Sequence, residues 1–288
     1  MAKKQALLTE ARRAFHASLM GSVLTVDSSG VPTNADKANR ASVAISKGII
    51  ERIGVHTDSD RLAGQSSGNQ FEEICRGFIA DTFSGLGHMR PGKWTVSKGI
   101  GGGRLGIARF DQYSHLEALD LLARQNPELA AALGGDYLIK PDVVIYRDPE
   151  PDTTFNAVGA FVSANEARYT GLRATNSNAP ILHASISCKW TLRSDRAQNA
   201  RSEGLNLVRN RKGRLPHIAV ITGEPTPSRI SSIALGTGDI DHVYHFALHE
   251  LLDTVKALGM SDAEDSINMM IQGKRLRDIS DLPMDLVV

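Results

Sequence analysis

Two short segments of this chain carry residue types whose spacing suits phosphodiester hydrolysis. Pro141-Asp142 opens one apolar run, and Ser187-Cys188-Lys189 closes another that begins at His183. Lys189 follows Asp142 by 47 positions. If the two runs are neighbouring strands, their ends bring a carboxylate and an ammonium together. Carboxylates hold a divalent metal and a lysine orients the attacking water, which is the equipment this reaction needs. Pro-Asp with a distant X-X-Lys is a weak pattern by itself, since any large protein can contain it.

The common nuclease arrangement has Asp or Glu two residues before the lysine, and that position here is Ser187. Asp142 alone leaves a Mg²⁺ site short of oxygen ligands, because the ion takes carboxylates plus waters in an octahedron. Glu203, 14 positions past Lys189, offers a replacement. It falls two turns into a helix predicted over 194–210, on a face that can fold back over the strand end. The competing role is a surface ion pair with Arg196 or Arg201.

Arg193-Ser-Asp-Arg196 sits where that helix starts, with Ser194 or Asp195 as the expected cap. Two arginines and an aspartate are also the donors and acceptors that read G·C pairs. Arginine is bidentate to guanine O6 and N7, and aspartate accepts from cytosine N4. One subunit can then read two consecutive G·C pairs, and a two-fold dimer a four-base G/C palindrome. Capping and salt bridging remain the plain alternative. Local charge is compatible with a polyanionic partner: residues 186–214 hold eight basic and two acidic side chains, a surplus of +6 on a chain whose formal net charge is +1. A solvated helix face would have the same composition.

These side chains need a scaffold, and 288 residues at 41% apolar and 23% charged supply a large core. Two cysteines, Cys75 and Cys188, cannot build a disulfide framework, which points to a reducing compartment. The opening residues lack the apolar run of a signal peptide, and no stretch is long and apolar enough to span a bilayer. Secreted, membrane, fibrous and disordered classes are excluded.

Helical spacing predicts helices over 5–19, 43–53, 70–83, 114–123, 126–133, 194–210, 246–258 and 262–270. A break is expected at 64–69 and an exposed loop at 98–106. Short β-rich runs predict strands over 142–146, 183–190, 217–222 and 242–246. Near-continuous apolar strands alternating with helices give an α/β class, with a mixed sheet covered on both faces. One domain over 1–288 is expected, with helical elaboration over about 1–135 and a catalytic core over about 136–250.

Other patterns carry less. The glycines at 101–106 suggest a phosphate cradle, but no Gly-Lys-Ser/Thr follows, so a flexible loop is the expectation. His245 and His249, four apart on a predicted helix, have spacing suited to zinc without a supporting His-Glu-X-X-His or cysteine pair. Cys75 reads as a small buried hydrophobe.

The block from His183 through Lys189, Arg193-Ser-Asp-Arg196 and Ser202-Glu203 to His217 closely resembles type II restriction endonucleases that cut CCGG-core sites, a family of the PD-(D/E)XK nuclease superfamily. The resemblance spans most of the chain. It includes Asn34-Ala-Asp36, Gly64-Gln65 with Gly68-Asn69, Phe71-Glu72, the segment 225–236 and the segment 273–283, and is weakest at 101–106 and 149–162.

The resemblance implies a restriction-endonuclease-like fold, a central mixed β-sheet flanked by helices. It implies a Mg²⁺-dependent endonuclease with two ions per site, acting on double-stranded DNA. Asp142 and Glu203 would bind metal with the main-chain carbonyl of Cys188, Lys189 would position the water, and Glu72 would be an accessory carboxylate. Ser187 becomes a family variation. Arg193, Asp195 and Arg196 would read the inner CCGG, Gln65 would touch the minor groove, and Asp36 and Arg229 would read the outer G·C pair, giving GCCGGC. Self-association as a homodimer or homotetramer, a cognate DNA methyltransferase and a bacterial cytoplasmic location follow from the same likeness. A non-catalytic DNA-binding protein would need only residues 193–196, and a less specific repair nuclease would not need them.

Overall fold

The β-rich runs do line up as neighbours. In the computed structural model, which describes residues 5–20, 22–54, 64–101, 103–135, 137–236 and 238–288, six strands form one sheet in sequential order. They are β1 (Trp94–Lys98), β2 (Val143–Arg147), β3 (Ile181–Lys189), β4 (His217–Thr222), β5 (His242–His245) and β6 (Leu276–Asp278). The first three pair antiparallel, and β3 to β6 pair parallel. This is the mixed sheet flanked by helices that the sequence predicts.

Eleven α-helices surround it among the described residues: α1 (Leu7–Met20), α2 (Arg40–Ile53), α3 (Gly64–Phe83), α4 (His115–Gln125), α5 (Pro127–Leu133), α6 (Asp152–Phe155), α7 (Ser194–Asn210), α8 (Pro227–Ala234), α9 (Leu248–Ala257), α10 (Ser261–Gln272) and α11 (Leu282–Asp285). Helix α5 starts as its sequence requires: Asn126 accepts from the N–H groups of Glu128 and Leu129, and Pro127 takes the first turn. None of these helices is long and apolar enough to cross a membrane.

One apolar core runs through the molecule. Phe71, Cys75 and Ile79 of α3 join Val143–Ile145 of β2, Ala184 and Ile186 of β3, and Val220 and Ile221 of β4, all buried. Strand β3 is buried at every position from Leu182 to Cys188, as a central strand covered on both faces must be. Its crossover to β4 is α7, a polar helix whose buried stripe is Ala200, Gly204 and Leu207. Glu203 falls on that same inward face. Gly204 allows the approach: a Cβ there would stand 3.0 Å from the Asp239 carbonyl oxygen.

Several expectations are corrected. Strands β1 and β6 were not foreseen: one is short and polar, and the other has three residues. Residues 64–69 continue helix α3 where a break was expected, because Phe71 and Cys75 anchor the following turns in the core. The expected loop at 98–106 begins as the end of β1 and gives way to a 3₁₀ segment over Gly103–Arg109, whose Ile107 is fully buried. Helix α7 is capped by Arg193 with no side-chain cap bond, so Ser194 and Asp195 are its first two residues and not its cap.

Candidate nucleic-acid-cleaving site

The register of β2 against β3 builds the centre. Val143 lies opposite Ile186, so Asp142, one residue before β2, meets the end of β3. Its Oδ2 accepts from the Cys188 backbone N–H at 2.8 Å and from Lys189 Nζ at 2.6 Å. Burial works against the charge on Lys189, but Asp142 and Glu203 outweigh it and its pKa is raised. The ammonium therefore remains protonated at neutral pH, which suits it to donating hydrogen bonds and unsuits it to abstracting protons.

Glu203 reaches the same place from α7. Its Oε1 accepts from Ser187 Oγ at 2.9 Å. Burial, then the charge of Asp142, push its pKa up to about 7. The surface ion pair with Arg196 or Arg201 is not formed: Arg196 donates to Thr191 Oγ1 at 2.7 Å, and Arg201 donates to the Ser232 carbonyl.

Glu72 approaches from α3, its carboxyl raised by burial and by Asp142. A second lysine, overlooked in the sequence, stands beside it. Lys98 ends β1, lies 3.4 Å from Glu72 and donates to the Asn69 carbonyl at 2.9 Å. Nothing in its own short strand signalled that position. The Cys188 thiol turns away toward Cys75, both buried, and burial raises its pKa.

The other expected residues line the next stretch of surface. A cleft of about 420 Å³ is bordered by Thr33, Glu72, Lys189, Arg193 and Arg196. Arg193, Asp195 and Arg196 are exposed at the start of α7. Asp36 forms an ion pair with Arg229 of α8, whose other nitrogen is 3.7 Å from Glu224. Arg229 is the main reason the Asp36 pKa is lowered, and Arg193 adds to it, so the two groups of base-reading candidates share one field. Gln65 falls in α3 with its side chain outside the described residues. Glu224 is the other residue that sequence reading missed. The available signal was its place just past a parallel strand, at the carboxyl end where α/β sites gather.

A model of the NgoMIV restriction enzyme family matches residues 15–288. The chain belongs to this family. The type II restriction enzyme NgoMIV of Neisseria gonorrhoeae is 57% identical over 283 residues, covering 98% of this chain and 99% of that protein. Among solved structures, the restriction endonuclease PspGI bound to substrate DNA aligns over 98% of this chain and 90% of that one, at 13% identity and a TM-score of 0.27.

For this member of the NgoMIV family the zinc alternative falls away. His245 ends β5, fully buried, whereas His249 lies on α9, so the two do not share a helix face. The chain bends at Phe246-Ala247 because His245 is held in the sheet opposite Thr222 and Asp278. Among the described residues no three His, Cys, Asp or Glu side chains gather as a metal cluster.

Proposed function

We propose that the chain is a type II restriction endonuclease that makes double-strand breaks in DNA at GCCGGC by Mg²⁺-dependent hydrolysis. The observation that carries this reading is the convergence of Asp142, Lys189 and Glu203 from β2, β3 and α7 at one sheet end.

The donor set fits a hard divalent ion. Two carboxylates share a partly desolvated site where each raises the cost of the other's charge, and the one nearby thiol faces away. Asp142, Glu203 and the Cys188 carbonyl would hold Mg²⁺, with two ions in the assembled site and waters completing the shell. When bound, the metal supplies charge stabilisation at the phosphate and acidifies water. Lys189 would orient the attacking water and donate to the phosphate, and Ser187 would hold Glu203 in its rotamer. Glu72 would add negative charge at the edge, balanced by Lys98.

Arg193, Asp195 and Arg196 would read the inner C·G pairs, Asp36 and Arg229 the outer pair, and Gln65 the minor groove. A palindrome calls for at least a two-fold pair of subunits, as a homodimer or homotetramer. Val158, Phe161 and Tyr169, which stand exposed on the excursion between α6 and β3, offer apolar surface for such association. A partner methyltransferase would protect the host's own sites.

The test is incubation of purified protein with a sequenced plasmid and Mg²⁺, followed by mapping of the ends. Cuts confined to GCCGGC are expected. Intact DNA, or cuts without a common sequence, would overturn the reading.

A further inference from the structure

The ends of β3 and β4 meet the residues proposed to read DNA through one buried carboxylate. Glu224 has no exposed surface. Its Oε2 accepts from the Leu192 backbone N–H at 2.9 Å, one residue before Arg193. Its Oε1 accepts from the Thr226 N–H at 3.1 Å, at the cap of α8, and faces Arg229 at 3.7 Å. Arg229 in turn grips Asp36. A single side chain thus touches the inner-pair segment with one oxygen and the outer-pair segment with the other.

The surroundings make that carboxylate rigid. The Glu224 N–H donates to Thr222 Oγ1 at 3.1 Å, and His245 Nε2 bonds its carbonyl at 3.1 Å. Asn34, two residues before Asp36 and buried, donates to the Gly223 carbonyl at 2.8 Å. Gly223 lies flat beneath Trp190, and a Cβ there would stand 2.4 Å from the indole ring. The segments that carry Asp36, Arg193 and Arg229 are therefore all seated on residues 222–224. A carboxylate with both oxygens committed cannot release one partner without leaving a buried charge under-bonded.

We infer that Glu224 is a positioning residue for sequence recognition: it holds the inner and outer base readers in one register, so that recognition of the two pairs is coupled through it. This rests on the base-reading assignment above and goes beyond it. Base contacts require placement to within a fraction of an ångström, and residues on one rigid support gain or lose their contacts together.

The test measures affinity by fluorescence anisotropy for duplex oligonucleotides with GCCGGC, with one inner pair replaced, with one outer pair replaced, and with both replaced. For the unaltered protein the double replacement should weaken binding by about tenfold less than the product of the single losses, since each mismatch already forfeits about tenfold or more. Glu224→Gln keeps one acceptor oxygen and removes the charge facing Arg229. It should cut discrimination at the outer pair by about tenfold and make the two replacements multiply, with little change in binding to unrelated DNA. Glu224→Asp, which keeps the charge, should fall between. A purely structural role would lower the melting temperature and leave the discrimination pattern intact.

Replacements that multiply in the unaltered protein would overturn the inference without any variant. So would wild-type discrimination by folded Glu224→Gln. Base-pair replacements that leave affinity unchanged would instead remove the base-reading assignment beneath it.

Discussion

Ser187 Oγ donates to Glu203 Oε1 across 2.9 Å. The serine occupies the strand position where many nucleases carry a carboxylate, and it bonds to the carboxylate that comes to the site from the next helix. In the proposed site the acidic function is relocated from β3 to α7 while its place in space is kept. Glu203 should therefore matter to chemistry and not to stability. Glu203→Gln is expected to abolish Mg²⁺-supported cleavage and to leave the melting temperature unchanged or higher, because burial and Asp142 already disfavour its charge. Ser187→Ala should slow cleavage by about tenfold or more, the value of a hydrogen bond to a charged group. Cleavage by Glu203→Gln at the native rate would end the assignment.

Lys189→Ala and Asp142→Ala should each lose cleavage by orders of magnitude and retain specific DNA binding. The ion pair at 2.6 Å joins them in one proposed catalytic unit, so the double variant should be scarcely worse than either single one. Single-turnover rates at saturating protein test this. Multiplying losses would mean that the two residues act separately.

Base reading is tested by a cycle between protein and DNA. Arg193→Ala or Arg196→Ala should weaken cognate binding by about 1–3 kcal/mol each, and replacing the matching guanine should reproduce the loss. Combining both changes should add little, because the contact is already gone. Fully additive losses would return residues 193–196 to a structural role at the start of α7.

Acid should destabilise the fold through two buried histidines. Burial lowers the pKa of His183 to about 3 and of His245 to about 4, against an ordinary value of 6.5. Above pH 6.5 both are neutral in either state and contribute no slope. Below it the unfolded chain binds protons that the folded chain refuses, so stability falls by up to about 1.4 kcal/mol per pH unit for each group. For His245 the cause is its complete burial, and protonation would in addition break the bond its Nδ1 accepts from the Ala247 N–H at 3.2 Å. Urea unfolding between about pH 7 and 5 should show the slope, reduced by the opposite contribution of Glu203, whose raised pKa makes the folded chain bind a proton there. His245→Gln should remove about one histidine's share. An unchanged slope in that variant would contradict the assignment.

The amino-acid sequence alone determined much of this protein. The apolar runs of β2 to β5 and the helix over 194–210 are legible because burial on one side or both leaves a period in the residue order. The juxtaposition of Asp142, Lys189 and Glu203 is legible because their residue types and order match a candidate hydrolytic set. What lacked a local signature was left to the tertiary structure. Strands β1 and β6 exist because neighbouring strands offer them hydrogen bonds, so Lys98 beside Glu72 could not be foreseen. The spacing of His245 and His249 suggests a shared helix face although His245 also falls in the strand predicted over 242–246, and sheet pairing settles the conflict by holding it in β5. Glu224 looks like any loop glutamate until packing excludes water around it. Its partners, Leu192, Thr226 and Arg229, are brought to it by parallel pairing of β3 with β4 and by the cap of α8, contacts that only the folded chain can make.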